Sequence, residues 1–163
     1  MGFLDDFLKV RKSHNRGILW KKKGYITFGL VLLLMTWLLL GTGVSETLSF
    51  TRFDLPGWRL APALWVVWTA LMVWSTTNAV NVTDGLDGLA AGIVAIAAGS
   101  FFLYSQHLAD PKVGLLTQPN LGPMVAVLAL GICLGFLPHN FNPAKIFMGD
   151  CGALFLGTLM AVS

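Results

Sequence analysis

The stretch Leu30-Val31-Leu32-Leu33-Leu34-Met35-Thr36-Trp37-Leu38-Leu39-Leu40 decides the fold class. It lies within residues 25–41, which hold no acid and no base. A helix needs about 20 apolar residues to cross the hydrocarbon of a bilayer. Apolar side chains fall on every face of this one, so no polar stripe is left for water. Similar runs occupy about 62–80, 86–105 and 121–137, and another opens near residue 151. That last run is still apolar at Ser163, too short to cross, so the chain is expected to stop inside an element of a longer protein. The fold class that follows is all-α: a polytopic transmembrane helix bundle in a single membrane domain.

Composition agrees. Hydrophobic residues make up 55% of the 163-residue chain and charged residues 12%. Soluble domains have about 25% charged residues. Too little charge remains to coat a globule, which argues against a soluble enzyme, a nucleic-acid-binding module and a disordered chain. Cys133 and Cys151 show neither metal-ligand spacing nor a disulfide framework. Residues 1–23 carry acids and lack the order of a signal peptide, so they read as a polar loop.

The loops alternate sides. Loops 1–23, 81–87 and 138–150 hold eight basic residues; loops 42–61 and 106–120 hold Arg52, Arg59 and Lys112. The positive-inside rule puts the first set in the cytoplasm. Five of the eight acids lie there too, namely Asp5, Asp6, Asp84, Asp87 and Asp150. That bias needs a separate cause, since the rule concerns basic residues alone. The outer loop 42–61 mixes apolar and polar residues and suits a short hairpin or an interfacial segment. Trp58, Trp65 and Tyr104 suit an interfacial belt.

Three polar islands sit at the cytoplasmic ends of the helices. The first is Gly2-Phe3-Leu4-Asp5-Asp6-Phe7-Leu8-Lys9-Val10-Arg11-Lys12. Two adjacent carboxylates repel, so they favour a cation or basic neighbours; a solvated pair beside a basic loop is the plain alternative. The second runs Asn78-Ala79-Val80-Asn81-Val82-Thr83-Asp84-Gly85-Leu86-Asp87-Gly88. Asp84 and Asp87 share a face if this segment is helical. A bare turn between membrane helices would not need two asparagines, two acids and two glycines. The third is His139-Asn140-Phe141-Asn142-Pro143-Ala144-Lys145-Ile146-Phe147-Met148-Gly149-Asp150. Asp150 opens an apolar run, where the helix dipole alone would favour an acid. Phe147 could equally be packing, and His139 reads as a satisfied loop residue. Taken together, carboxylates beside a basic loop suit a polyphosphate held with a divalent cation. No Walker-type loop is present, which argues against a P-loop ATPase. A transporter with intramembrane acids would place them within the spans.

In this order the islands resemble the polyprenyl-phosphate N-acetylhexosamine 1-phosphate transferase superfamily. Residues 2–23 and 81–88 look most like its phospho-N-acetylmuramoyl-pentapeptide transferase branch. Residues 139–157 are more similar to the branch that transfers N-acetylglucosamine 1-phosphate for teichoic acid or O-antigen. Cys151-Gly152-Ala153 departs from a commoner Thr-Gly-Ser. The resemblance implies the middle part of a roughly ten-helix fold with a cytoplasmic cleft in the bacterial plasma membrane, often a homodimer. It implies transfer of phospho-sugar from a UDP-sugar to undecaprenyl phosphate with Mg2+, releasing UMP. On that resemblance Asp150 is the metal ligand, and Asp5 and Asp6 act on the lipid phosphate or as nucleophile. Asn81, Asp84 and Asp87 lie at the nucleotide, Phe147 on the uracil, and Lys9 and Lys21 near the phosphates. Asn78 and Asn140 support them. The 163 residues alone are expected to be inactive.

Overall fold

The computed structural model describes residues 2, 3, 5, 7, 20–42, 47–48, 57–108 and 121–162. Its elements are α1 (Trp20–Thr42), a two-stranded antiparallel pair of β1 (Thr47–Leu48) and β2 (Trp58–Arg59), α2 (Pro62–Thr83), α3 (Leu89–Leu108), α4 (Leu121–Asn140) and α5 (Gly149–Val162). Gly2, Phe3, Asp5 and Phe7 are also helical. Four of the helices are long and apolar enough to cross a membrane. A span of 22 residues rises about 33 Å, the thickness of the hydrocarbon core. The fold is all-α and polytopic.

Burial is inverted relative to a soluble bundle. Ala70, Ala90, Ala91, Ala98, Ala126 and Ala129 are fully buried, while Leu33, Leu40, Ile96, Leu103 and Leu128 are exposed. Small residues let helix backbones approach, and large apolar ones meet lipid at no cost. The strand pair occupies the loop where the sequence suggested a hairpin, with Thr47 opposite Arg59 and Leu48 opposite Trp58.

Two compact units divide the chain. Residues 18–74 hold α1, the strand pair and the first half of α2. Inside this unit the Trp74 indole donates to the Gly24 carbonyl at 3.1 Å, and its ring meets Phe28 edge-on at 5.9 Å. Residues 1–17 and 75–163 form the other unit. There α3 and α4 pack antiparallel, with Gly99 against Leu130 midway. α5 packs on both, and Val94, Ala95, Cys133 and Leu156 form the core between the three helices.

Several helix ends differ from the hydropathy reading. α2 runs on past residue 80 to Thr83 and so includes Asn81. α4 continues through Pro138 to Asn140, because a proline in the last turn forfeits only one backbone bond. α3 begins at Leu89, not 86, since residues 84–88 are turns. Asp84 and Asp87 therefore do not share a helical face. Gly88, at φ 74°, breaks the helix there.

Candidate active site

Three turns meet at one end of α2, α4 and α5. The α2–α3 turn is closed by Asp84 N–H donating to the Val80 carbonyl at 3.1 Å and Leu89 N–H to Leu86 at 3.1 Å. After α4, the His139 carbonyl accepts from Lys145 N–H at 2.9 Å and Ile146 N–H at 3.2 Å, folding the loop back on the helix end. Gly149, at φ 66°, then turns the chain into α5. A Cβ there would be strained, and Asp150 follows at once in the first turn.

Asn140 ties these turns together. It is buried, its side-chain oxygen accepts from Gly88 N–H at 3.0 Å, and its amide donates to the Ile146 carbonyl at 2.9 Å. Asp87 adds a second tie, its carboxylate accepting from Ala144 N–H at 3.1 Å and from the Asn142 amide at 3.3 Å. Both residues hold loop 141–148 against the α2–α3 turn, and with it Phe147.

Asp150 and Asn81 form the centre of the site. The Asn81 amide donates to a carboxylate oxygen of Asp150 at 2.9 Å, across 69 residues of sequence. Asp84 faces the same centre. Partial burial raises its carboxyl above the ordinary value, and the neighbouring charge of Asp150 raises it further. A like-charge pair favours a cation between or beside its members. Among the described residues no three acid, histidine or cysteine side chains converge into a protein cage for a metal. Magnesium needs none, since it is commonly held by one or two carboxylates and completes its shell with water and phosphate oxygens. Asp150, with Asp84 near it, fits that donor pattern.

The first island reaches the same place through its glycine. A Cβ on Gly2 would lie 2.5 Å from Cys151 Cα and 2.7 Å from the Asp150 carbonyl oxygen, so only glycine allows this approach. Asp5, one turn on, is buried like Gly2, while Phe3 and Phe7 stack on each other on the exposed side. The helical segment carrying Asp5 thus lies against the first turn of α5. Phe147 is exposed, at the edge of an apolar cavity of about 250 Å³ also lined by Ile132, Phe136, Phe155 and Leu156.

The structure thus brings Asp5, Asn81, Asp84, Asp87, Asn140, Phe147 and Asp150 into one unit. Asn78 lies one turn before Asn81 on α2, half-buried. Asp6 and Lys9 lie outside the described residues, and Lys21 belongs to the other unit, on the first turn of α1. Sequence reasoning missed Gly2, Asn142 and Ala144. Only the glycine at the head of the first island could have signalled a close approach.

The chain is 37% identical to a phospho-N-acetylmuramoyl-pentapeptide-transferase of Streptomyces coelicolor, over 99% of its length and 49% of that protein. It is 40% identical to the protein of that name in Bifidobacterium longum (strain DJO10A), with 99% and 49% covered. For Mycobacterium leprae the identity is 39%, with 99% and 48% covered. The chain spans about half the length of these curated relatives. The sequence model of glycosyl transferase family 4 matches residues 1–163 throughout, and the chain belongs to that family.

Proposed function

We propose that the whole protein transfers phospho-N-acetylmuramoyl-pentapeptide from its UDP-linked form to undecaprenyl phosphate, releasing UMP and making lipid I for peptidoglycan. The site would face the cytoplasm from the bacterial plasma membrane. The observation that carries this reading is the Asn81–Asp150 pair with Asp84 beside it, at the end of apolar helices, where a diphosphate with its cation would sit. The names of the relatives support the choice of substrate.

The chemistry is phosphoryl transfer, in which positioning and charge neutralisation dominate. Bound Mg2+ would neutralise charge on the diphosphate. Asp150 would hold it, its carboxylate oriented by the Asn81 amide. Asp5, and Asp6 beside it in sequence, would either accept the proton of the lipid phosphate, whose oxygen then attacks the diphosphate and expels UMP, or, in a double displacement, attack that diphosphate as nucleophile, expelling UMP and then passing the phospho-sugar from the carboxylate to the lipid phosphate. Lys9 and Lys21 would meet phosphate oxygens, and Phe147, exposed on its loop, would stack on uracil. Asp87 and Asn140 would serve mainly by holding that loop, and Asn78 by supporting Asn81. A homodimer is part of the proposal on family grounds.

UMP release by the purified whole protein tests the reading, with each UDP-sugar offered separately. Turnover with UDP-N-acetylmuramoyl-pentapeptide, dependent on Mg2+, is expected. Turnover with UDP-N-acetylglucosamine alone would move the protein to the second branch, which residues 139–157 resemble. The 163 residues expressed alone should release no UMP.

A further inference from the structure

α2 and α5 come closest at a point that belongs to none of the three islands. A Cβ on Gly157 would lie 2.6 Å from Thr77 Cα, 3.1 Å from the Thr77 carbonyl oxygen and 3.2 Å from that of Thr76. All three are backbone atoms, which cannot swing aside. Thr77 is buried, and its hydroxyl lies 3.3 Å from that of Thr158. The Thr158 hydroxyl already donates to the Leu154 carbonyl at 2.8 Å. Its single proton is therefore spent, and Thr77 is the donor of the pair.

This crossing is in line with the site. Asn81 stands four residues beyond Thr77 on α2, and Asp150 seven residues before Gly157 on α5. Both offsets return to the same helix face. The spacing at Thr77 and Gly157 therefore acts on the Asn81–Asp150 separation one to two turns away.

The geometry points to Thr77, Gly157 and Thr158 as positioning residues that hold Asn81 within hydrogen-bond reach of Asp150. This rests on the reading of Asp150 as the carboxylate that holds the divalent cation. A methyl group at position 157 reaches ordinary contact only at 3.4 Å, so the backbones must part by about 0.8 Å. The 2.9 Å Asn81–Asp150 bond would then stretch beyond about 3.5 Å, where no hydrogen bond remains. Asp150 would keep its charge and lose the orientation that the Asn81 amide gives it.

Mn2+ binding to the whole protein in detergent, followed by electron paramagnetic resonance, reads this without turnover. Groups that orient a metal ligand typically account for about 10–100-fold in metal affinity. Asn81→Ala should weaken Mn2+ binding about tenfold. Gly157→Ala should weaken it as much, and should add less than about twofold in the Asn81→Ala background, because the two act through one contact. Should Gly157→Ala not fold, Thr158→Val keeps the shape and removes the hydroxyl, both as the acceptor for Thr77 and as the donor to Leu154 within α5. It should weaken binding about threefold and again be silent beside Asn81→Ala. Parental affinity in Gly157→Ala or Thr158→Val, or losses that add in full, would overturn the inference. A parent that binds Mn2+ but transfers neither phospho-sugar would end the proposed reaction and leave this inference standing. A parent that binds no Mn2+ would end both.

Discussion

Asp150→Asn separates a catalytic carboxylate from a helix-capping one. Asp150 sits in the first turn of α5, accepts from the Asn81 amide at 2.9 Å, and helps push the Asp84 carboxyl upward. Asparagine keeps the shape, keeps an oxygen for Asn81 and is itself well suited to a helix start. The lost charge–dipole attraction is worth about 0.3–1 kcal/mol, and relief of the repulsion with Asp84 acts in the opposite direction. Net stability should change by less than about 1 kcal/mol, which is a few degrees in Tm for a protein of this size. Turnover should fall far more. Losing one strong electrostatic contact at a reacting centre costs about 10²–10³ in rate, and a lost metal more. The assay is UMP release by the whole protein at saturating Mg2+, paired with thermal melting in the same detergent. Activity within about threefold of the parent would refute the metal role, being far below the loss expected of an electrostatic catalyst. Activity lost together with the fold would refute it too, since Asp150 would then matter only to the start of α5.

Three further outcomes are expected. Asp84 has a carboxyl raised in the folded state, so its ionisation opposes folding: the stability present below the ordinary value of 3.8 is lost as pH rises through the raised one. Asp84→Asn should therefore raise Tm at pH 7, with an advantage that shrinks towards pH 4; an equal advantage at both would show that its charge is not the cause. Asn140→Ala leaves Gly88 N–H and the Ile146 carbonyl without their partners, each costing about 1–3 kcal/mol, so Tm should drop by at least about 5 °C while Asn140→Asp, still an acceptor for Gly88, recovers part of the loss. For topology, a cysteine at position 13 should resist an impermeant thiol reagent applied from outside and one at position 49 should react; the reverse would invert the orientation drawn from the basic loops.

The spans were legible because length and hydropathy are local properties, and a 22-residue uncharged run has few other uses. Helix ends were less so. Asn81 and Asn140 look like loop residues by polarity, yet α2 and α4 carry on through them, and their side chains find partners in the neighbouring turns. The spacing of Asp84 and Asp87 misled for a related reason. Three residues apart means one face only while the helix lasts, and it ends at Thr83. The two acids then part: Asp84 faces Asp150, while Asp87 holds Asn142 and Ala144. No local pattern could separate them, because those partners lie 55 to 66 residues away. The crossing at Thr77 and Gly157 was more deeply hidden. A threonine and a glycine inside apolar helices carry no chemistry of their own, and what they do depends on how α2 meets α5. A polar motif can name the groups that touch a phosphate, but the ångström that decides whether Asn81 reaches Asp150 is set by backbone contact two turns away, among residues that look like plain membrane filler.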